Sequence, residues 1–195
     1  PLSHTQPWGG DVWRHVAVEQ ILLEEKIHPP VLWGSGVKTR EIFGKQIPEA
    51  LIIPHKYAYG QLWATTVMLA RTLQIDLLAL NRWLMTVIWS LVMPLILFRI
   101  GGMLFGSWRR GLLLAALSVI SFPLQALGAL SLPVSLGHIT FLFVLMLWLQ
   151  YLRDRAPLQA AIVVLLGIFM FFGYSLHALL LWLIIFISSM VRFVG

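Results

Sequence analysis

The sequence predicts an all-α protein: a polytopic α-helical membrane bundle preceded by an extracytoplasmic loop module with short juxtamembrane helices. Composition, the spacing of the apolar runs and the placement of arginine point there. Of 195 residues, 59% are hydrophobic and 11% are charged, and mean hydropathy is +0.85. A soluble domain carries roughly a quarter charged residues, so an ordinary cytosolic domain and a disordered chain are both excluded. Cysteine is absent, which removes disulfide scaffolds and thiolate metal sites. The chain opens at Pro1 without an initiator Met or a signal peptide and ends just after a hydrophobic stretch. It therefore reads as a fragment, or a processed chain, of something longer.

Residues 1–56 form the polar module. Its six Lys/Arg balance six acids. Pro7-Trp8-Gly9-Gly10 reads as a turn, and Asp11 as the cap of a helix running to about Lys26. His28-Pro29-Pro30 stops that helix. The Gly- and Pro-containing remainder reads as irregular, with a short turn of helix around Glu49 to Ile53.

The membrane domain is 57–195. Residues 57–75 form the least apolar run, with Gln61, Thr65, Thr66, Arg71 and Gln74 in it. An Arg deep in a span costs about 2.5–3.5 kcal/mol, so the expectation is a juxtamembrane or re-entrant helix. Spans follow at about 83–104, 111–130, 136–152, 158–173 and 176–192, with Gly173-Tyr174-Ser175 as the last turn. Residues 57–195 carry eight Arg, no Lys, and only Asp76 and Asp154 as acids. Arg109, Arg110, Arg153, Arg155 and Arg192 follow alternate runs, while the loops 128–136 and 172–177 carry no Lys or Arg. Such a bias sets topology rather than nucleic-acid binding. If 57–75 does not cross, the module, His138 and His177 share the outer face.

Candidate chemistry sits mainly in the module. Asp11, His15 and Glu19 are spaced four apart, one drifting stripe on a helix. The three together could hold a divalent cation, Mg or Mn, or the carboxylate could orient the imidazole for proton transfer. The plainer alternative is a capping aspartate followed by a solvated face. Yet Val12, Trp13, Val16, Val18, Ile21, Leu22 and Leu23 surround most of this helix, and a helix apolar on several sides is buried on several sides. Arg14 suits a phosphate. His138 and His177 suit a lipid phosphate or a metal, or simple interfacial packing. Trp8, Trp13, Trp33, Trp63 and Trp83, in the module or near the expected outer interface, read as an interfacial belt or as sugar-stacking platforms. No phosphate loop, nucleophile elbow or zinc-protease motif occurs.

Gly9-Gly10-Asp11-Val12-Trp13-Arg14-His15, its apolar helix, and Lys26-Ile27-His28-Pro29-Pro30 together resemble the first extracytoplasmic loop of GT-C membrane glycosyltransferases. These are the oligosaccharyltransferases, protein mannosyltransferases and aminoarabinose transferases. Residues 97–111, continuing through Ala115, Ala116 and Pro123, are similar to that class's cytoplasmic hairpin and next span. The resemblance implies a polyprenyl-phosphate-linked sugar as donor, with the acceptor open, and an extracytoplasmic site in a multi-pass protein of a prokaryotic cell membrane. It implies Asp11 as catalytic base or metal-site residue. Arg14, His15, His138 and His177 would then bind the departing phosphate. The sequence departs from the class at Gly128 to Ser135, where many members have a second acidic motif and this chain has no acid. A transporter, or a non-catalytic membrane scaffold of the same fold, are the competing expectations.

Overall fold

The computed structural model describes residues 10–25, 37–48 and 60–194, with the side chains of 192–194 left aside. His4, His28, His55, Trp8, Trp33, the Lys26–Pro30 motif and the expected helix at Glu49–Ile53 lie outside the described residues. What is described is mostly helical.

Helix α1 spans Gly10–Leu23. Asp11 stands in its first turn rather than capping it, where a carboxylate still complements the helix dipole. The helix ends short of the expected Lys26 because Glu25 turns left-handed, at φ 60°. A two-stranded antiparallel hairpin follows, β1 (Thr39–Ile42) and β2 (Lys45–Pro48). It corrects the expectation of irregular chain here and of a purely helical fold. Phe43 and Gly44 both take positive φ, 51° and 73°, as a two-residue hairpin turn requires.

Helix α2 is Gly60–Leu73. Its 14 residues rise about 21 Å, less than the roughly 30 Å of a bilayer's apolar core. Its first turn meets the far end of the chain: the Gln61 side-chain amide donates to the Phe169 carbonyl. Its last turn reaches the start of α3 (Leu77–Phe105). Asp76 caps α3 by accepting from the Ala79 amide at 2.9 Å, a cap that extends the helix six residues before the expected start at 83. Gly106 in the left-handed region ends it.

The expected single span 111–130 is two helices, α4 (Trp108–Ile120) and α5 (Phe122–Gly128), bent by 69° at Ser121. Pro123 sits in the first turn of α5, where its missing N–H costs nothing but where the residue before it resists helical continuation. Helix α6 is Pro133–Asp154, α7 is Pro157–Phe169 with a 3₁₀ turn Met170–Phe172, and α8 is Ser175–Val194. By length and composition α3 and α6 can cross a membrane, and the α4–α5 pair makes a third if taken as one span. Helices α7 and α8 are apolar but shorter.

Three packed clusters hold the described helices. Leu62, Met85, Trp89, Met93, Ile96, Ile100 and Ile139 join α2, α3 and α6. Val144, Trp148, Val163, Met170, Ala178 and Leu181 join α6, α7 and α8. Val12 and Val16 seat α1 against Ala70 of α2 and Leu77 and Leu80 of α3. Outward faces remain apolar: Leu91, Leu95, Ile120 and Phe122 are all at least 64% exposed. A face like that is stable against lipid and not against water.

Candidate functional site

The three stripe residues of α1 face three different surroundings. Asp11 is solvent-exposed and lies 3.7 Å from the guanidinium of Arg14, also exposed. His15 is half-buried, and its Nδ1 accepts from the indole N–H of Trp63 on α2 at 3.1 Å. Burial holds His15 below the ordinary imidazole pKa, and the charge of Asp11 one turn away pulls it part of the way back. Glu19 has no exposed surface. Asn81 of α3 donates to its Oε2 at 2.5 Å. Burial pushes the Glu19 carboxyl up to about 7, and the Thr66 hydroxyl and Asn81 amide offset only part of that. Among the described residues, no group of three His, Asp or Glu side chains is placed to hold a metal ion. The Asp11–His15–Glu19 stripe is thus a helix periodicity that tertiary packing pulls apart, not a converging set of ligands.

His138 and His177, 39 residues apart, do meet. The expected common end for these two residues is where they lie: both stand near the first turns of their helices, α6 and α8. His138 Nδ1 is 3.3 Å from His177 Nε2, the rings nearly perpendicular at 85°. Gly137 makes the approach possible. A Cβ there would fall 2.6 Å from the Tyr174 Cβ and 3.3 Å from His177 Nδ1. Trp89 stacks on His138 with centroids 5.8 Å apart, and Phe141 and Tyr174 flank His177. His177 Nδ1 is buried without a hydrogen-bond partner, so the pair holds together through one shared N–H between the rings.

No family model, curated protein or solved structure matches this chain.

Trp89 also walls a second feature. An apolar groove of about 370 Å³ lies between α3 and the α4–α5 bend, lined by Thr86, Trp89, Ser90, Phe122, Gln125 and Leu130 among others. Gly128 admits the Trp89 ring, which a Cβ would penetrate. So the indole touches the imidazole pair on one side and the groove on the other. Asp11, by contrast, has no contact with His138 or His177 among the described residues; its partners are Arg14 and His15.

Asn81 and Trp89 escaped the sequence reading, while Trp63 was legible only as an interfacial or sugar-stacking ring and Tyr174 only as part of a turn. Only Asn81 carried a usable signal, as the single amide in the run Leu77 to Met85; a polar group inside an apolar helix generally faces another helix. The role of Arg71 was also hidden. Its guanidinium donates to the Leu22 and Leu23 carbonyls at 3.2 and 2.9 Å and pairs with Glu25 at 3.3 Å. It caps the C-terminal end of α1, which explains an arginine in an otherwise apolar α2.

Proposed function

We propose that the chain is a polytopic membrane glycosyltransferase of GT-C type, drawing a sugar from a polyprenyl-phosphate donor at the extracytoplasmic face. The observation that carries the reading is the meeting of His138 and His177 at the end of the bundle whose loops 128–136 and 172–177 contain no Lys or Arg. Arginine gathers at the opposite end, in the loops after α3 and α6, which supports a cytoplasmic placement of that end. Helix α1, with Asp11 and Arg14, is seated beside the start of α3, on the same end as the imidazole pair.

In this mechanism the acceptor's nucleophilic oxygen loses its proton to the Asp11 carboxylate. That oxygen forms the new bond to the anomeric carbon as the bond from that carbon to the phosphate oxygen breaks. The phosphate leaves with the electron pair; the Arg14 guanidinium balances its charge, and the imidazoles of His15, His138 and His177 offer hydrogen bonds to its oxygens. Because the described donors do not converge as metal ligands, no step is routed through a cation. The groove beside Trp89 is apolar enough to take part of the isoprenoid chain.

The test uses the protein in proteoliposomes with polyprenyl-phosphate-linked sugars. The Asp11→Asn variant is expected to retain binding of polyprenyl phosphate and lose sugar transfer. The His138→Ala/His177→Ala double variant should weaken binding itself. Unchanged transfer by Asp11→Asn would reject the assignment of the base. A second reading, a non-catalytic scaffold, is favoured by the acid-free Gly128–Ser135 segment; failure of every polyprenyl-phosphate ligand to bind would support it.

A further inference from the structure

Glu19 is a fully buried carboxyl group with an odd hydrogen-bond balance. Its Oε2 accepts from Asn81 Nδ2, and that amide nitrogen spends its second hydrogen on the Leu77 carbonyl at 3.1 Å. Two oxygens are then left buried without a donor: Glu19 Oε1 and Asn81 Oδ1. The Thr66 hydroxyl stands near enough to the carboxyl to favour its charged form in part, but its one hydrogen is directed to the carbonyls of Leu62 and Trp63. The backbone behind Asn81 is pinned as well, since the Ser131 hydroxyl donates to its carbonyl. Neither member of the pair is placed to swing away to water. Burying an ionised carboxylate beside a second bare acceptor is costly. One proton on Glu19 supplies the missing donor.

We propose that Glu19 is held as a neutral carboxylic acid, paired reciprocally with the Asn81 side-chain amide, and that this acid–amide pair is the clip seating α1 on α2 and α3, so that the seat loosens as pH rises. The proposal concerns the docking of α1 and stands whether or not the chain transfers sugar.

The sign follows from linkage. A free Glu19 ionises near 4.5, whereas in its seat the carboxyl is pushed up to about 7. The contribution to docking is whole below 4.5, falls about tenfold per pH unit as the released form ionises, and is gone once the seated carboxyl also ionises, about 300-fold in all. The other titratable and charged groups around the seat are Asp11, Arg14 and His15 on α1, Glu24 and Glu25 in the turn that follows it, Arg71 on α2, and Asp76 and Arg82 at the start of α3. Of these, His15 has an opposing slope near neutrality. Burial lowers its pKa, so its contribution weakens as pH falls below 6.5. The docking measurement therefore belongs in a His15→Gln background, whose amide oxygen can still accept from Trp63.

Two readouts decide the matter on the whole chain. The first is the infrared carbonyl band of protonated carboxyl groups in D2O. A band present at about pH 6, titrating near neutrality and absent from Glu19→Gln is expected; no such band at that pH overturns the proposal. The second exploits the absence of cysteine. Spin labels on Gln20→Cys of α1 and Thr72→Cys of α2, both at exposed positions, report the separation of the helices. In the His15→Gln background the ratio of docked to released α1 should fall about tenfold per unit between about pH 5 and 7. With Glu19→Gln added it should stay level, because glutamine carries the donor permanently. A ratio that does not change with pH, or one that falls equally in both proteins, overturns the clip. Should Glu19→Gln fail to fold, the infrared titration of unaltered Glu19 still decides: a midpoint in the ordinary carboxyl range refutes it.

Discussion

Two glycines at the crossing of α3 and α4 should respond to the same substitution in opposite directions. Helices α3 and α4 cross where Gly101 meets Gly111. A Cβ on Gly111 would sit 2.5 Å from the Phe98 carbonyl oxygen and 3.0 Å from the Gly102 amide nitrogen. Both are backbone atoms, so no side chain can rotate away. Ordinary contact begins near 3.4 Å, and Gly111→Ala falls short of it by roughly 0.9 Å. The helices must separate, and overpacking of this kind costs about 1–3 kcal/mol. Alanine returns about 0.8–1 kcal/mol of helix propensity, so the net loss runs up to about 2 kcal/mol. Gly102 lies across the crossing on α3, and a Cβ there meets nothing within 4 Å. Gly102→Ala should keep the propensity gain and stabilise by up to about 1 kcal/mol. Reversible unfolding in mixed detergent micelles, followed by circular dichroism, measures both. If the two variants shift stability in the same direction by similar amounts, the close crossing of α3 and α4 is wrong.

Gly137→Ala should displace His177 through its clash with Tyr174 and weaken polyprenyl-phosphate binding as His177→Ala does, with both imidazoles still present; ligand titration compares the two. Trp63→Phe removes the N–H that His15 Nδ1 accepts and should cost about 0.5–1.5 kcal/mol, while the His15 pKa, read by NMR, rises toward 6.5 because the neutral ring loses its donor. In native protein the neutral, buried His15 stabilises the α1 seat above pH 6.5, and this contribution declines on acidification through its lowered pKa. Arg71→Ala frees the Leu22 and Leu23 carbonyls, and hydrogen exchange should speed up in the last turn of α1 by about five- to tenfold, matching about 1 kcal/mol of lost capping.

The apolar runs were legible because helices in a membrane must be apolar over their whole lipid-facing surface, and α3 and α6 announce themselves by length. The common end of His138 and His177 was legible from arginine parity alone, although their direct contact was not; that depends on Gly137. The bend at Ser121 was written in Pro123 but masked by apolar residues on both sides. The hairpin was hidden because Thr39–Ile42 and Lys45–Pro48 are short and largely exposed, so no alternation of burial marked them. The three-residue stripe on α1 misled because periodicity gives angular position on one helix and nothing about what packs against it. Here Trp63, Thr66 and Asn81 decide that Glu19 is interior while Asp11 is solvated.

The central claim is that α1 and the imidazole pair lie on the outer side of the membrane, opposite the arginine-bearing loops. With no native cysteine, single cysteines at Gln20 on α1 and Trp108 at the start of α4, both exposed, can be probed in intact cells with a membrane-impermeant maleimide. The account predicts that Gln20→Cys is labelled at once and Trp108→Cys only after permeabilisation. Labelling of Trp108→Cys from outside, with Gln20→Cys protected until the membrane is opened, would contradict it.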